Sequence, residues 1–523
     1  MTDFQDTPQQ QRDIDGYTIE MRYHYRYLSY LAPAWLRLAV TDCGIAFPEN
    51  RPLRYLELGY GTGVALNIHA AADPGEYWGT DANPEHAAYA NRLAAASGVD
   101  LRALDLPFSQ LVDYPNLPQF DIITAPGIWS WISQENRVAV VEILQKHLAP
   151  GGIFFLTYNA MPGMAAVVPL QQLLRLHGDL ASPSADAYQQ WNAAMRFASR
   201  LGQCDDGGYF SGTPFARRTL KDIESTNPLY NIHEYMGRNW HPCFFSDVAR
   251  ALEPAGLRYV GSARLIEHAA DESFSQPAKD LLQEIDDPIL RETTRDFLLN
   301  KTFRSDIFAK GIVRLDPQTR RDKLAAQSFA LVQPAEEIDL TVPIELSGPA
   351  LALAKSRRAH ARSVLSIFAD VTCPLCAKEI ASTMGSAANI DDIIRALLDL
   401  CCLRMLKPVT TSVSTGARQA CQKLNQFVAQ EWREGRGIYA LASPTVGAGV
   451  HVSTWHHAFE AAYEEGACTI PGLLERAKPL LTAHADMNAP ETGRDAVDAV
   501  KALRAADLFL KSGEIWKRLG LRN

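Results

Sequence analysis

Five residues carry the spacing of a ligand site: Glu57, Gly59, Gly61, Gly63 and Asp81. They fall in Tyr55-Leu56-Glu57-Leu58-Gly59-Tyr60-Gly61-Thr62-Gly63 and in Trp78-Gly79-Thr80-Asp81, which read as strand, glycine-rich turn, helix and second strand. Glycines at alternate positions let the backbone turn tightly and approach a ligand with no Cβ in the way. The helix that follows presents free N–H groups at the turn, and Asp81 at the next strand tip is placed to accept hydrogen bonds from a ribose diol. A dinucleotide fingerprint, G-x-G-x-x-G/A, does not fit, because the third glycine is Gly63 and Val64 follows it. Glu57 would also repel a pyrophosphate. A carboxylate there suits a cationic ligand.

The pattern resembles motif I of class I S-adenosylmethionine methyltransferases, which implies S-adenosyl-L-methionine as cofactor. Asp105, at the third strand tip, is a candidate for the adenine amino group, and Tyr17 is a further cofactor-binding candidate. Four more stretches extend the resemblance: Gly127-Ile128-Trp129-Ser130-Trp131, Tyr158-Asn159-Ala160-Met161-Pro162-Gly163, His233-Glu234-Tyr235 and Phe297-Leu298-Leu299-Asn300-Lys301-Thr302-Phe303-Arg304. In that order they resemble bacterial methyltransferases with a methyltransferase regulatory domain, over roughly residues 17–315. Pro126 departs from the family pattern, which commonly has His there. The better understood relatives are rickettsial lysine methyltransferases of outer-membrane proteins. The resemblance therefore implies a protein lysine acceptor, a dimerisation segment and a homodimer.

Methyl transfer to an amine needs a neutral nucleophile held in line with the methyl group, in a pocket with aromatic walls and one or two polar groups. Tyr158, Asn159, Glu234, Tyr235 and Trp240 are the expected acceptor set. Tyr158 and Asn159 follow a central strand, and the resemblance brings the His-Glu-Tyr stretch to the same cleft. Two other functions stay open: methylation of a small metabolite, and a non-catalytic binding or regulatory protein on the same fold. Intact Glu57, glycines and Asp81 count against the second.

These residues need a scaffold, and the alternation from Arg54 to Asn159 supplies one. Strands are expected at 54–58, 76–80, 101–104, 120–124 and 152–158, with helices at 64–71, 84–97 and 134–148, which is the signature of a parallel doubly wound α/β sheet. Helices interrupt it at 164–226, with a polar loop around 205–212, and Leu257 to Val260 reads as a sixth strand. Residues 278–310 read as helices with Arg295, Arg304 and Lys310 on a charged face. The segment from Tyr17 to Gly44, with Tyr23, Tyr25, Tyr27, Tyr30 and Trp35, is either a lid over a flat ligand or a helical cover for the sheet. The expected division is a cofactor-binding core over 1–163, a helical insertion and dimerisation segment over 164–226, the rest of the core with a regulatory domain over 227–315, and a mainly helical, winged-helix-like region over 316–523.

The chain's 523 residues are too many for one core. A net charge of −9 argues against a broad nucleic-acid surface, and the acidic, apolar stretch Asp391 to Cys402 is unsuited to a recognition helix. No run of apolar residues is long enough to span a membrane. Nine scattered cysteines, with a polar N-terminus, point to reduced thiols and a cytoplasmic location. Cys373 and Cys376 lack a second pair at zinc-ligand spacing, so no metal is expected.

Overall fold

Strands buried on both faces are read as near-continuous apolar runs, and the central sheet is built from such runs. In chain order its strands are β1 (Leu53–Leu58), β2 (Gly75–Thr80), β3 (Leu101–Leu104), β4 (Phe120–Ala125), β5 (Leu148–Asn159), β6 (Leu257–Ser262) and β7 (Phe303–Lys310). Every residue of β4 is buried. In the computed structural model the spatial order is β3-β2-β1-β4-β5-β7-β6, with β1 to β5 parallel and β7 antiparallel to both its neighbours. The structure describes residues 13–14, 17–18, 25–48, 52–181, 185–204, 208–226, 228–334, 358–370, 373–385, 388–410, 412–488 and 499–522. Strand order reverses between β1 and β4, so the crevice for a ligand opens at the carboxyl ends of these two strands.

Local sequence fixes the helices that flank the crevice. After α1 (Pro33–Asp42), Gly63 caps α2 (Val64–Ala72) in the left-handed conformation. The Asn83 side chain accepts from the Glu85 N–H to start α3 (Pro84–Ser97), with Pro84 in the first turn. Ser133 caps α4 (Gln134–His147) in the same way. The five expected strands and three expected helices of the core are all observed, to within a few residues at their ends.

The expectation of helices throughout 278–310 is corrected. Pro288–Leu299 is a helix, but Phe303–Lys310 is the strand β7, inserted between β5 and β6. Its charges are inside. The Arg304 guanidinium donates to Asp306 Oδ2 (2.7 Å), Asp296 Oδ1 (2.5 Å), Glu292 Oε1 (2.9 Å) and the Tyr259 hydroxyl (3.1 Å). Arg304 and Asp306 are two residues apart on one strand and share a face. Tyr158 lies directly opposite Arg304 in the β5–β7 register, and its hydroxyl donates to Asp306 Oδ2 (2.8 Å). Burial raises the Asp296 carboxyl to about 7, against the pull of Arg304.

Residues after β5 form helices Val168–Ala181, Ala187–Gln203, Tyr209–Gly212 and Pro214–Glu224, which with Pro228–Tyr235 enclose a small core of Leu170, Leu174, Trp191, Phe210, Leu220 and Ile232. Part of the expected polar loop is thus the short helix Tyr209–Gly212. The C-terminal region pairs β8 (Ser328–Leu331) with β9 (Leu375–Cys376) and β10 (Leu406–Pro408) in a three-stranded antiparallel sheet, flanked by helices that include Ala377–Met384 and Ile390–Cys402. A hairpin of β11 (Ala440–Ser443) and β12 (Ala448–His451) follows the helix Thr415–Arg433. That helix sits on the core sheet's own helices: the Tyr89 hydroxyl on α3 donates to Glu431 (2.8 Å), and Cys421 lies against the Ala71 carbonyl on α2. One hydrophobic cluster runs from Leu66 and Ala71 to Leu424 and Val428. Among the described residues no helix is long and apolar enough to cross a membrane.

Removing the shared cation of the β7 cluster takes the ion-pair partner from buried Asp306 and Asp296, while Glu292 keeps Arg295 (3.1 Å). Arg304→Ala should destabilise the fold by about 3–5 kcal/mol, and Tyr158→Phe, which loses one hydrogen bond, by about 1–3 kcal/mol. Urea unfolding followed by circular dichroism checks both; an Arg304→Ala loss no larger than that of Tyr158→Phe contradicts the cluster.

Candidate active site

β1 delivers a carboxylate into an apolar interior. Glu57 is 2% exposed, between Leu56 and Leu58, and its Oε2 has no hydrogen-bond partner among the described residues. Burial, reinforced by the charge of Asp81, raises its carboxyl to about 8. The chain then turns through Gly59 and Gly61, both at positive φ. A Cβ at Gly59 would come within 2.5 Å of Ile128 Cγ2. The Gly59 N–H donates to the Thr80 carbonyl (2.8 Å), and the Gly61 N–H to Asp81 Oδ2 (2.9 Å). Asp81 Oδ1 accepts from the Asn83 N–H and pairs with His86 Nδ1, both at 3.0 Å. Asp81 therefore ties the tip of β2 to the turn while still facing the crevice.

A cavity of about 960 Å³ occupies that crevice, and Glu57, Gly59, Gly61, Asp81, Asn159, Glu234 and Tyr235 line it together. The sequence could not say which neighbours would join them. Leu106 and Phe108 line it just past β3, Tyr25, Tyr27 and Tyr30 line it from the aromatic N-terminal segment, and Arg404, Lys407, Tyr439 and His451 come from the C-terminal region. Of the two readings left open for the aromatic segment, the lid accounts for these three tyrosines and the cover for the helix Pro33–Asp42 behind them.

Five expected site residues fall elsewhere or outside the described side chains. Gly63 packs α2 on α3, since a Cβ there would meet Ala90 Cβ at 2.5 Å. Asp105 is exposed and absent from the cavity wall; the turn after β3 is pinned instead by the Thr80 hydroxyl on the Leu106 carbonyl (2.5 Å), which aims Leu106 and Phe108 inward. Tyr158 is fully buried on the opposite face of β5 from Thr157 and Asn159, so it serves the Arg304 cluster and not the acceptor. Trp240 packs with Met164 and Val167 and lines no part of the cavity. The backbone of Tyr17 pairs with Ile14, and its side chain lies outside what the structure describes.

The end of the cavity beyond β4 and β5 is polar and tightly held. Asn159 Nδ2 donates to Glu234 Oε1 (3.2 Å), while the Asn159 N–H donates to Ser130 Oγ (2.9 Å). Trp131 Nε1 donates to the Glu234 carbonyl (3.3 Å), and Gln171 Nε2 to the Tyr235 carbonyl (3.0 Å). Burial raises the Glu234 carboxyl, opposed by hydrogen bonds from Asn159 and Tyr230. Burial also lowers the His233 imidazole to about 4, so it is neutral at pH 7. Among the described residues no group of His, Cys, Asp and Glu is arranged to hold a metal ion.

The Glu57 carboxylate, whose Oε2 has no partner among the described residues, and the glycine cradle fit the ammonium and amino-acid end of S-adenosylmethionine. Comparisons with known proteins agree with that fit. Residues 56–154 match the family described as methyltransferase domain, and residues 227–310 the family described as predicted methyltransferase regulatory domain. The uncharacterized protein sll1526 of Synechocystis is 34% identical over 329 residues, which are 62% of this chain; the chain spans 64% of that relative's length. The demethylmenaquinone methyltransferase of Thermus thermophilus is 32% identical over 176 residues, 31% of this chain and 74% of that protein. The structure of PKMT2 from Rickettsia typhi in complex with AdoHcy shares the fold, with a TM-score of 0.65 at 19% identity, over 95% of this chain and 99% of that one.

A ligand ammonium beside Glu57 stabilises the ionised carboxylate and lowers its pKa from about 8. Below that pH, binding must release a proton, so affinity for S-adenosylhomocysteine should rise from pH 6 to pH 8. Calorimetry at pH 7 in two buffers of different ionisation heat should show this release. Glu57→Gln should abolish it and weaken binding by roughly 1.5–3 kcal/mol; an unchanged proton count in that variant counts against the assignment.

Proposed function

The chain belongs to the class I S-adenosylmethionine methyltransferases that carry a methyltransferase regulatory domain, and from that premise we propose that it methylates lysine side chains of a protein. The observation that carries the reading is the pair of half-buried Glu234 and buried Asn159 at the cavity end beside Tyr235 and Trp131. S-adenosylmethionine supplies a methyl group on a sulfonium, which a neutral nucleophile displaces. A lysine arrives as an ammonium and must first lose a proton. Glu234, its carboxyl raised by burial, is suited to take that proton, and the Asn159 amide holds the carboxylate in place. Trp131, Tyr30 and Tyr235 give the amine an apolar wall that excludes water. Exposed Arg26, Arg404 and His451 among the lining residues open the cavity to solvent, which favours a macromolecular acceptor over a metabolite sealed inside.

We also propose a homodimer through the helical insertion. Leu176 and Leu180 on Val168–Ala181, and Phe197 and Leu201 on Ala187–Gln203, are exposed apolar side chains, with Leu180 at 72%. Sedimentation at micromolar concentration should give a dimer that Leu180→Glu dissociates; a wild-type monomer contradicts the proposal.

Incubation of a cell lysate with isotopically labelled S-adenosylmethionine should place label on protein lysines, read by mass spectrometry. Glu234→Gln and Asn159→Ala should each lower turnover roughly ten- to a hundredfold and leave S-adenosylhomocysteine affinity unchanged. Tyr158→Phe should keep turnover in the fraction that folds. Label confined to small molecules would replace the protein acceptor with a metabolite.

A further inference from the structure

Past Tyr27 the cavity continues to a wall with the opposite charge. Lys407 on β10, Arg404 just before it and His451 at the end of β12 line this part. Lys407 is 8% exposed, faces the cavity, and its ammonium makes no hydrogen bond or ion pair with a described residue. Its electrostatic neighbours give it no anion. Arg404 repels it, and the Cys401 thiol beside it is held neutral by burial. Burial first, and then the charges of Lys407, Arg404 and Arg26, push His451 down, and burial followed by Lys407 does the same to His69 on α2. Asp399, on the helix behind, acts on Cys401 and Cys402 and does not line the cavity. Burial, with no counter-ion among the described residues, draws the Lys407 ammonium down to about 8.

A buried cation that meets only like charges among the described residues is unfavourable unless an anion joins it. The acidic lining groups of this cavity, Glu57, Asp81 and Glu234, sit at the glycine turn and the acceptor end. His69 lies six residues along α2 from Gly63, roughly 9 Å at the helical rise, so the basic wall stands beside the far half of α2.

We propose that Lys407, Arg404 and His451 form a carboxylate-binding subsite of this cleft. The carboxylate belongs either to the amino-acid end of the cofactor or to an acidic group of the acceptor. The inference rests on the cleft binding its cofactor and not on the acceptor being lysine, so a failure to label protein lysines leaves it standing.

Calorimetry on the full chain separates the outcomes. Three probes are titrated into wild type and Lys407→Met: S-adenosylhomocysteine, decarboxylated S-adenosylmethionine, and glutarate added to protein saturated with S-adenosylhomocysteine. If the cofactor supplies the carboxylate, Lys407→Met weakens S-adenosylhomocysteine about tenfold or more and spares the decarboxylated ligand. If the acceptor supplies it, cofactor affinity holds, while glutarate binds wild type and not the variant. Equal weakening of both nucleoside ligands, or no change with any probe, overturns the subsite. Loss of a buried unpaired cation should hold or raise the melting temperature; should Lys407→Met fail to fold, His451→Gln is read by the same criteria.

Discussion

A carboxylate taken from water and left without a partner is among the least favourable groups a protein can bury. Glu57 is such a group, fixed near the carboxyl end of β1 where neither backbone nor side chain of the described residues meets its Oε2. Two states relieve it: a proton, or a cation brought by a ligand. The crevice is arranged around that choice. Gly59 and Gly61 keep side chains out of the space above it, Asp81 closes the turn through the Gly61 N–H, and Tyr25, Tyr27 and Tyr30 wall the approach. A ligand ammonium thus converts a local penalty into binding energy, and the empty protein carries the penalty as a raised carboxyl pKa.

The same cleft couples the two halves of the chain. The helix Thr415–Arg433 packs on α2 and α3, the helices that frame the glycine turn, and the hairpin after it brings His451 to the cavity. The Gly449 N–H donates to the Tyr27 hydroxyl (2.7 Å), so the C-terminal hairpin holds one of the tyrosines that wall the ligand space. The C-terminal region is therefore part of the pocket wall.

Much of the core could be read from sequence because its strands are apolar on both faces and its helices begin with recognisable caps, Asn83 and Ser133 among them. β7 could not, since Arg304 and Asp306 look solvated until Asp296 and Glu292 of the preceding helix are known to meet Arg304, and Tyr158 to meet Asp306. Tyr158 was misplaced for a different reason. Its motif pointed at the acceptor, but strand alternation sends Thr157 and Asn159 to one face and Tyr158 to the other. That parity was available in the sequence and outweighs motif membership. Trp240 and Asp105 turn on how a loop leaves its strand, which neighbouring residues do not determine. The basic wall at Lys407 was invisible, because it depends on contacts between positions hundreds of residues apart.

The most direct test of the account is a crystal structure of the full chain with S-adenosylhomocysteine. The account predicts the ligand's amino nitrogen at about 3 Å from Glu57, its ribose beside Asp81, and its sulfur facing Asn159 and Glu234. A ligand bound elsewhere, or one that leaves the Glu57 carboxylate unpaired, would contradict it.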